Sequence, residues 1–198
     1  MNDIITRQDL IPLRTYRQGR DEYIKKMIAY KNNRRVKVAQ NISILFENRN
    51  TVLFQIQELV NSEDLTDPNE LDEYISIYAG MLPDENELSA TLFIELDNQE
   101  QLADLLKKLK GIEHHLTLFV GNEPNQAVFE EVHDDREFTT SVHYLKFPLT
   151  ETSKSLLLNG STDKLTLTLS LDHPNLSEKV TLSASCAASL QKDLEYWV

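Results

Sequence analysis

Leu165-Thr166-Leu167-Thr168-Leu169-Ser170-Leu171-Asp172 alternates apolar and polar residues without a break. Successive side chains on an extended chain point to opposite faces, so this octet reads as a strand with a buried leucine face and a wet hydroxyl face. His173 continues the leucine side. Leu88 to Leu96 repeats the pattern with Ala90, Leu92, Ile94 and Leu96 on one face and Glu95 on the other. Between and around these two strands the apolar spacing changes to helical. Leu102, Leu105, Leu106 and Leu109 form a stripe after Asn98, a cap residue, and Gly111 closes the segment.

The same reasoning orders the rest of the chain. Asp21 to Asn33 reads as an amphipathic helix, followed by short strands around Val36–Val38 and Ile42–Phe46. Val52, Leu53, Ile56, Leu59 and Val60 predict a helix over Thr51–Asn61 with Asn50 as its cap, leaving Thr51, Gln55, Glu58 and Ser62 on the polar side. Asp67-Pro68 opens another helix that stops at Gly80. Leu116–Val120 and Gln126–Val132 flank Gly121-Asn122-Glu123-Pro124 as a hairpin. Ser141–Phe147 is a strand, Glu151–Asn159 a helix closed by Gly160, Val180 and Leu182 an edge strand, and Ala184–Trp197 a terminal helix. Strands and helices mix without a strict βα repeat. The fold class expected is α+β: a single domain over 1–198, with a mixed or mainly antiparallel sheet and several packed helices.

The chain has 198 residues, 40% apolar and 26% charged, with one cysteine and a formal charge of -12. A chain of this length buries roughly 70% of its unfolded surface and folds without staples. Cys186 alone cannot form an internal disulfide, a zinc site of the four-thiolate or mixed two-thiolate kind, or an iron–sulfur cluster held by the protein. The first residues lack a basic run before an apolar core, and no segment approaches the roughly 20 apolar residues of a membrane span. A cytoplasmic protein without a membrane segment is expected. The charge is uneven. Residues 1–50 hold eleven basic and five acidic side chains, a head of +6, and residues 51–198 form a body of -18. Attraction between head and body, within the chain or across a homodimer, is the plain reading of that contrast. The net negative charge opposes nucleic-acid binding.

Catalytic motifs are missing. Five isolated glycines build neither a phosphate loop nor a dinucleotide fingerprint, and there is no Gly-x-Ser-x-Gly or His-Glu-x-x-His. No catalytic residue, resident metal or cofactor is therefore assigned. Glu131, His133 and Asp135 could share one side of an extended segment and form only a weak metal-ligand set; an acidic solvated hairpin arm is the preferred reading. His143 and His173 both look inward, and they converge only if their strands are antiparallel neighbours. The residues that stand out are Arg34, Arg35, Glu47, Arg49, Gln55 and Glu58. Arginine forks suit carboxylate or phosphate, and the alternative is a structural Arg–Glu network. Arg35, Arg49, Gln55, Glu58 and His143 are the ligand-binding candidates, with His143 as the acid–base group at neutral pH.

Arg34-Arg35-Val36, Ile44 to Glu58, Tyr74, Leu82-Pro83, Ala90 to Glu95, Ser141 to Leu145 and Asp172-His173-Pro174 resemble together the signature blocks of an uncharacterised bacterial domain-of-unknown-function family of about this length. Genes of that family often lie beside those for rubrerythrin-like and iron–sulfur oxidoreductase proteins. The resemblance implies one domain and, by association, a redox or oxidative-stress setting in which the chain assists without carrying electrons. Two functions stay open: an accessory or interaction protein with a protein partner or a homodimer, and a small-molecule or metal-binding enzyme using the five candidates.

Overall fold

The computed structural model describes residues 5–129, 137–160 and 165–195. The candidates Glu131, His133 and Asp135, the end of the expected strand at Val132 and the end of the expected helix at Trp197 lie outside the described residues. The helices are α1 (Leu13–Asn32), α2 (Arg49–Ser62), α3 (Pro68–Ala79), α4 (Gln99–Lys108), α5 (Glu151–Asn159) and α6 (Ala184–Glu195). The strands are β1 (Arg35–Ala39), β2 (Ile42–Glu47), β3 (Glu87–Ile94), β4 (Leu116–Val120), β5 (Glu123–Gln126), β6 (Val142–Pro148), β7 (Leu167–His173) and β8 (Leu176–Thr181). This is the α+β class expected, with antiparallel strand pairs and packed helices. The chain gathers into two compact units, Met1–Asn32 with Glu47–Leu82, and Asn33–Phe46 with Pro83–Val198.

The first unit is helical. Its core is Ile5, Val52, Ile56, Val60, Ile75 and Met81, the apolar stripe of α2 meeting that of α3. Helix α1 starts at Leu13, eight residues before the expected Asp21, because Pro12 supplies a first carbonyl, accepting from the Tyr16 amide, and Tyr16 is buried to 2% exposure. The cap of α2 is Asn48, not Asn50. Its side chain accepts from the amides of Asn50 and Thr51, and the Thr51 hydroxyl accepts from the Asn48 amide. Thr51, expected on the wet side, is consequently buried.

The second unit holds two four-stranded sheets, ordered β1-β2-β3-β6 and β5-β4-β7-β8. Their edges meet. Val128, just beyond β5, exchanges two backbone hydrogen bonds with Lys146 of β6, at 2.7 and 2.9 Å, and β1 lies beside β8. The strands thus run round a flattened ring whose interior is filled by alternate residues, among them Val36, Ile44, Phe46, Leu92, Leu118, Leu145, Phe147 and Leu169. Helix α6 closes the same core with Cys186, Ala187, Leu190 and Leu194. The β4–β5 hairpin turns on Gly121-Asn122 alone, so Pro124 lies inside β5 opposite Phe119 instead of in the loop. A proline is tolerated there because β5, among the described residues, is an edge strand of its sheet, paired there with β4.

Arg34 fastens this unit. It is fully buried, and its Nε donates to the Phe46 carbonyl at 2.8 Å while Nη1 donates to Ser189 Oγ at 2.6 Å and Nη2 pairs with Asp193. Removing one partner of a buried ion pair leaves a desolvated charge behind. Arg34→Met is expected to cost about 3–5 kcal/mol in urea unfolding, and Arg34→Met combined with Asp193→Leu to cost clearly less than that.

Candidate functional site

The five sequence candidates are built into both units. Arg34 and Arg35 are consecutive but differently placed: Arg34, in the turn before β1, is buried, and Arg35, the first residue of β1, is exposed. Arg35 bonds Ser43 Oγ at 2.9 Å, lies 3.8 Å from Glu95 and stacks its guanidinium over Phe93, 4.9 Å from the ring centre. Arg49, in the first turn of α2, pairs with Asp9 at 2.6 Å. Gln55 is half-buried on the same helix. Glu58 accepts the Tyr16 hydroxyl and both arms of Arg20, at 2.9 and 2.6 Å. His143 is buried on β6, with its ring between Thr139, Thr140 and Glu113. Arg35, Arg49, Glu58 and His143 are thus held by four separate sets of partners.

Electrostatics in the first unit follow from these pairs. The two-armed bond from Arg20 is the main cause that holds the Glu58 carboxyl below its ordinary value, with the Tyr16 hydroxyl adding to it. Burial, then the bond to Glu58, raises the Tyr16 phenol. Asp9 is lowered chiefly by the Thr6 amide, with Arg49 contributing. Gln57, unremarked in the sequence, is buried and bonds both backbone groups of Ile11, accepting at 2.7 Å and donating at 3.1 Å. An amide on the flank of an apolar stripe carries no signal of such a partner in advance.

The β7–β8 turn is equally structural. His173 Nε2 donates to the Lys110 carbonyl at 3.0 Å, its Nδ1 accepts from the Asn175 amide, and the Asn175 side chain donates to the Lys108 carbonyl at 2.7 Å. Asp172-His173-Pro174-Asn175 therefore caps the carboxyl end of α4, where the chain turns through Gly111 at φ +84. β6 and β7 belong to different sheets, so the condition for His143 and His173 to converge is not met.

The concave feature suited to a ligand lies elsewhere in the second unit. An open groove of about 570 Å³ runs between the β1–β2 turn, α4 and β8. Ala39, Ile42, Leu96, Leu105 and Leu176 give it an apolar floor, and the amides Gln40, Asn41 and Gln101 with Asp104, Lys108 and Glu178 line its rim. A depression of about 530 Å³ over Asp84–Glu87 and Pro148 is acidic, with Glu87 already paired to Lys146 at 2.8 Å. Among the described residues, no group of three or more His, Cys, Asp or Glu side chains could hold a metal ion. No described helix is long and apolar enough to cross a membrane.

Cys186 is buried beside this core, and desolvation pushes its thiol up to about 11. It is expected to resist Ellman's reagent at neutral pH in the folded protein and to react stoichiometrically in denaturant. The lowered carboxyls set an acid limit. Glu58 and Asp9 contribute stability that is fully present above their ordinary values, 4.5 and 3.8, and lost as pH falls through their lower folded values. The unfolding free energy should therefore fall on acidification below about pH 4.5, with a shallower fall in Glu58→Gln, measured by urea titration at each pH.

Residues 4–194 match a family described as "Protein of unknown function (DUF3501)". No curated protein matches the sequence. A crystal structure at 1.90 Å of a novel protein of unknown function from Burkholderia pseudomallei K96243 is 32% identical, covers 96% of this chain and 98% of its own, and superposes with a TM-score of 0.89. With nearly the whole sequence inside the family match and a bacterial relative sharing its fold end to end, the chain belongs to the DUF3501 family.

Proposed function

We propose that the protein binds a small amphipathic molecule in the groove between the β1–β2 turn, α4 and β8. One observation carries this reading: a concavity of about 570 Å³ with an apolar floor and an amide-rich rim. Ligand sites typically span about 300–1,000 Å³ and combine an apolar lining with a few polar groups that fix orientation. Floor residues Ile42, Leu105 and Leu176 would take the apolar body. Gln40, Asn41 and Gln101 offer both donors and acceptors to a polar end. The reading replaces the arginine-centred site with one whose polar side chains border an accessible cavity, and it leaves the chemistry done on the ligand open.

A second reading, docking to a protein in the cytoplasm as a homodimer or as an accessory to a redox enzyme, rests on a different observation. Val142 and Tyr144 project from the outer face of β6 at 38% and 46% exposure, with Val128 and Phe138 also exposed. Contiguous exposed apolar side chains favour association. The redox setting itself has only the family's gene neighbourhood behind it.

Gln101 is exposed on α4 at the groove, so Gln101→Trp fills the mouth without touching the core. A thermal-shift screen of small metabolites at about 100 times Kd is expected to raise Tm by roughly 5–10 °C in the wild-type protein. Gln101→Trp should abolish that shift and keep the unliganded Tm. A hit that survives in the variant places the ligand outside the groove and sinks the proposal.

A further inference from the structure

We propose that His173 is an acid-operated latch: its neutral form ties the β7–β8 turn to the carboxyl end of α4, and protonation releases the turn and, with it, one end of the groove. The last clause rests on the proposed groove site; the latch itself does not. His173 is 5% exposed. Its Nε2 lies 3.0 Å from the Lys110 carbonyl oxygen, and a carbonyl only accepts, so the ring proton resides on Nε2. Nδ1 accepts from the Asn175 amide at 3.2 Å. Both ring nitrogens are thus engaged, in a way open to the neutral form alone. A second proton, on Nδ1, sets a donor against a donor.

The turn needs that hold. His173 pairs with Leu176, so Pro174-Asn175 form a two-residue hairpin loop. Loops of this length match the twist of their strands when the first central residue, or both, take a positive φ; the proline ring forbids that at Pro174, and Asn175 does not adopt it. The loop is therefore fastened from outside. Besides the ring, the Asn175 side chain donates to the Lys108 carbonyl at 2.7 Å. When Nδ1 takes a proton, either the ring or the Asn175 backbone has to move. The first movement loosens the bond to Lys110, the second the bond to Lys108.

The charged groups round the ring offer no substitute. His115, just before β4, stands edge-on to it at 5.1 Å between centroids. The His115 Nδ1 donates to the Asp172 carbonyl at 2.7 Å, so its own second proton enters at Nε2 and leaves that bond intact. The α4 exit brings Lys108 and Lys110, and Glu113 of the following 3-10 turn lies against His143 instead. Asp172 is exposed and, as the neighbour of His173 on β7, belongs to the opposite face of the strand; Glu178 of β8 is exposed two residues beyond Leu176. Lys108, Leu176 and Glu178 all line the groove. The Asn175–Lys108 bond accordingly joins its α4 wall to its β8 wall.

The test is a titration of the full chain from about pH 7.5 to about pH 5, the range in which histidine changes charge. It is followed by nitrogen-15 spectra and by the fluorescence of phenylnaphthylamine, a small apolar probe that stays neutral throughout. Expected is an Asn175 amide resonance that moves in step with protonation of His173 Nδ1, and probe binding about fivefold weaker at the acid end. His173→Gln keeps a donor and an acceptor without titrating, so there both readings should be flat. Asn175→Ala, at an exposed position, should bind the probe at neutral pH as weakly as the wild-type protein does in acid. The latch is refuted if His173 stays neutral throughout, if it protonates while the Asn175 resonance stays still, or if that resonance follows His115 instead. Probe binding that ignores pH while Asn175 follows His173 removes the control over the groove. A probe that does not bind, or binds equally to Gln101→Trp, removes the groove reading and leaves the latch supported by the spectra.

Discussion

A guanidinium with no exposed surface is the constraint on which the second unit turns. Arg34 cannot be buried as a charge unless its donors are occupied, and its partners come from chain segments far apart in sequence: the Phe46 carbonyl on β2, and Ser189 and Asp193 on α6. The Phe46 amide in turn donates to the Arg34 carbonyl at 3.0 Å. One side chain thereby fixes where the chain enters this unit, where it leaves and where the final helix lies. Such a pair adds little net stability over an apolar equivalent, since desolvation offsets most of the Coulomb gain, but misplacement of α6 would leave both charges buried and unpaired. The arrangement penalises alternatives more than it rewards the native state.

The charge contrast between head and body resolves in part within the first unit. Arg7 pairs with Asp72, Arg17 with Asp64 and Arg20 with Glu58, so basic residues of the N-terminal segment meet acids of α2, α3 and their connection. The exposed pairs contribute little each, because water and salt screen them. Glu58 is different: it also receives the buried Tyr16 hydroxyl, which sits edge-on to Tyr23, itself edge-on to Phe54. Here charge and aromatic packing together set how α1 lies along α2. Arg17, Arg20 and Arg49 are in this way engaged with carboxylates.

The groove depends on α4, and the exit of that helix sets where the chain enters β4. The helix lends Gln101, Asp104, Leu105 and Lys108 to the groove, while the 3-10 turn after it, Ile112–His114, carries Glu113 and His114. The capping of α4 by His173 and Asn175 holds that exit in place. The Thr139 amide bonds the Leu106 carbonyl at 3.1 Å, which ties the segment before β6 to the same helix. Arg34, Asn48 and His173, which lie in the blocks that carry the family resemblance, each have structural partners: the Phe46 carbonyl, the first amides of α2 and the Lys110 carbonyl.

What the sequence alone determined was local. Alternation of period two marked Leu165–Asp172 and Leu88–Leu96, and helical spacing marked α2, α3 and α4, because both signals reside in neighbouring residues and in caps such as Asp67 and Asn98. The helix cap at Asn48 was misread by two residues, since an Asn-Arg-Asn run offers two equivalent caps and only the hydroxyl of Thr51 chooses between them. Partners were out of reach. Arg35 and Arg34 look alike in sequence, yet Arg34 in the turn before β1 is buried against Phe46, Ser189 and Asp193 while Arg35 is exposed, and Asp193 lies 159 residues from its arginine. The groove was likewise invisible, because a cavity is created by strand order and helix placement, and these only the tertiary structure decides.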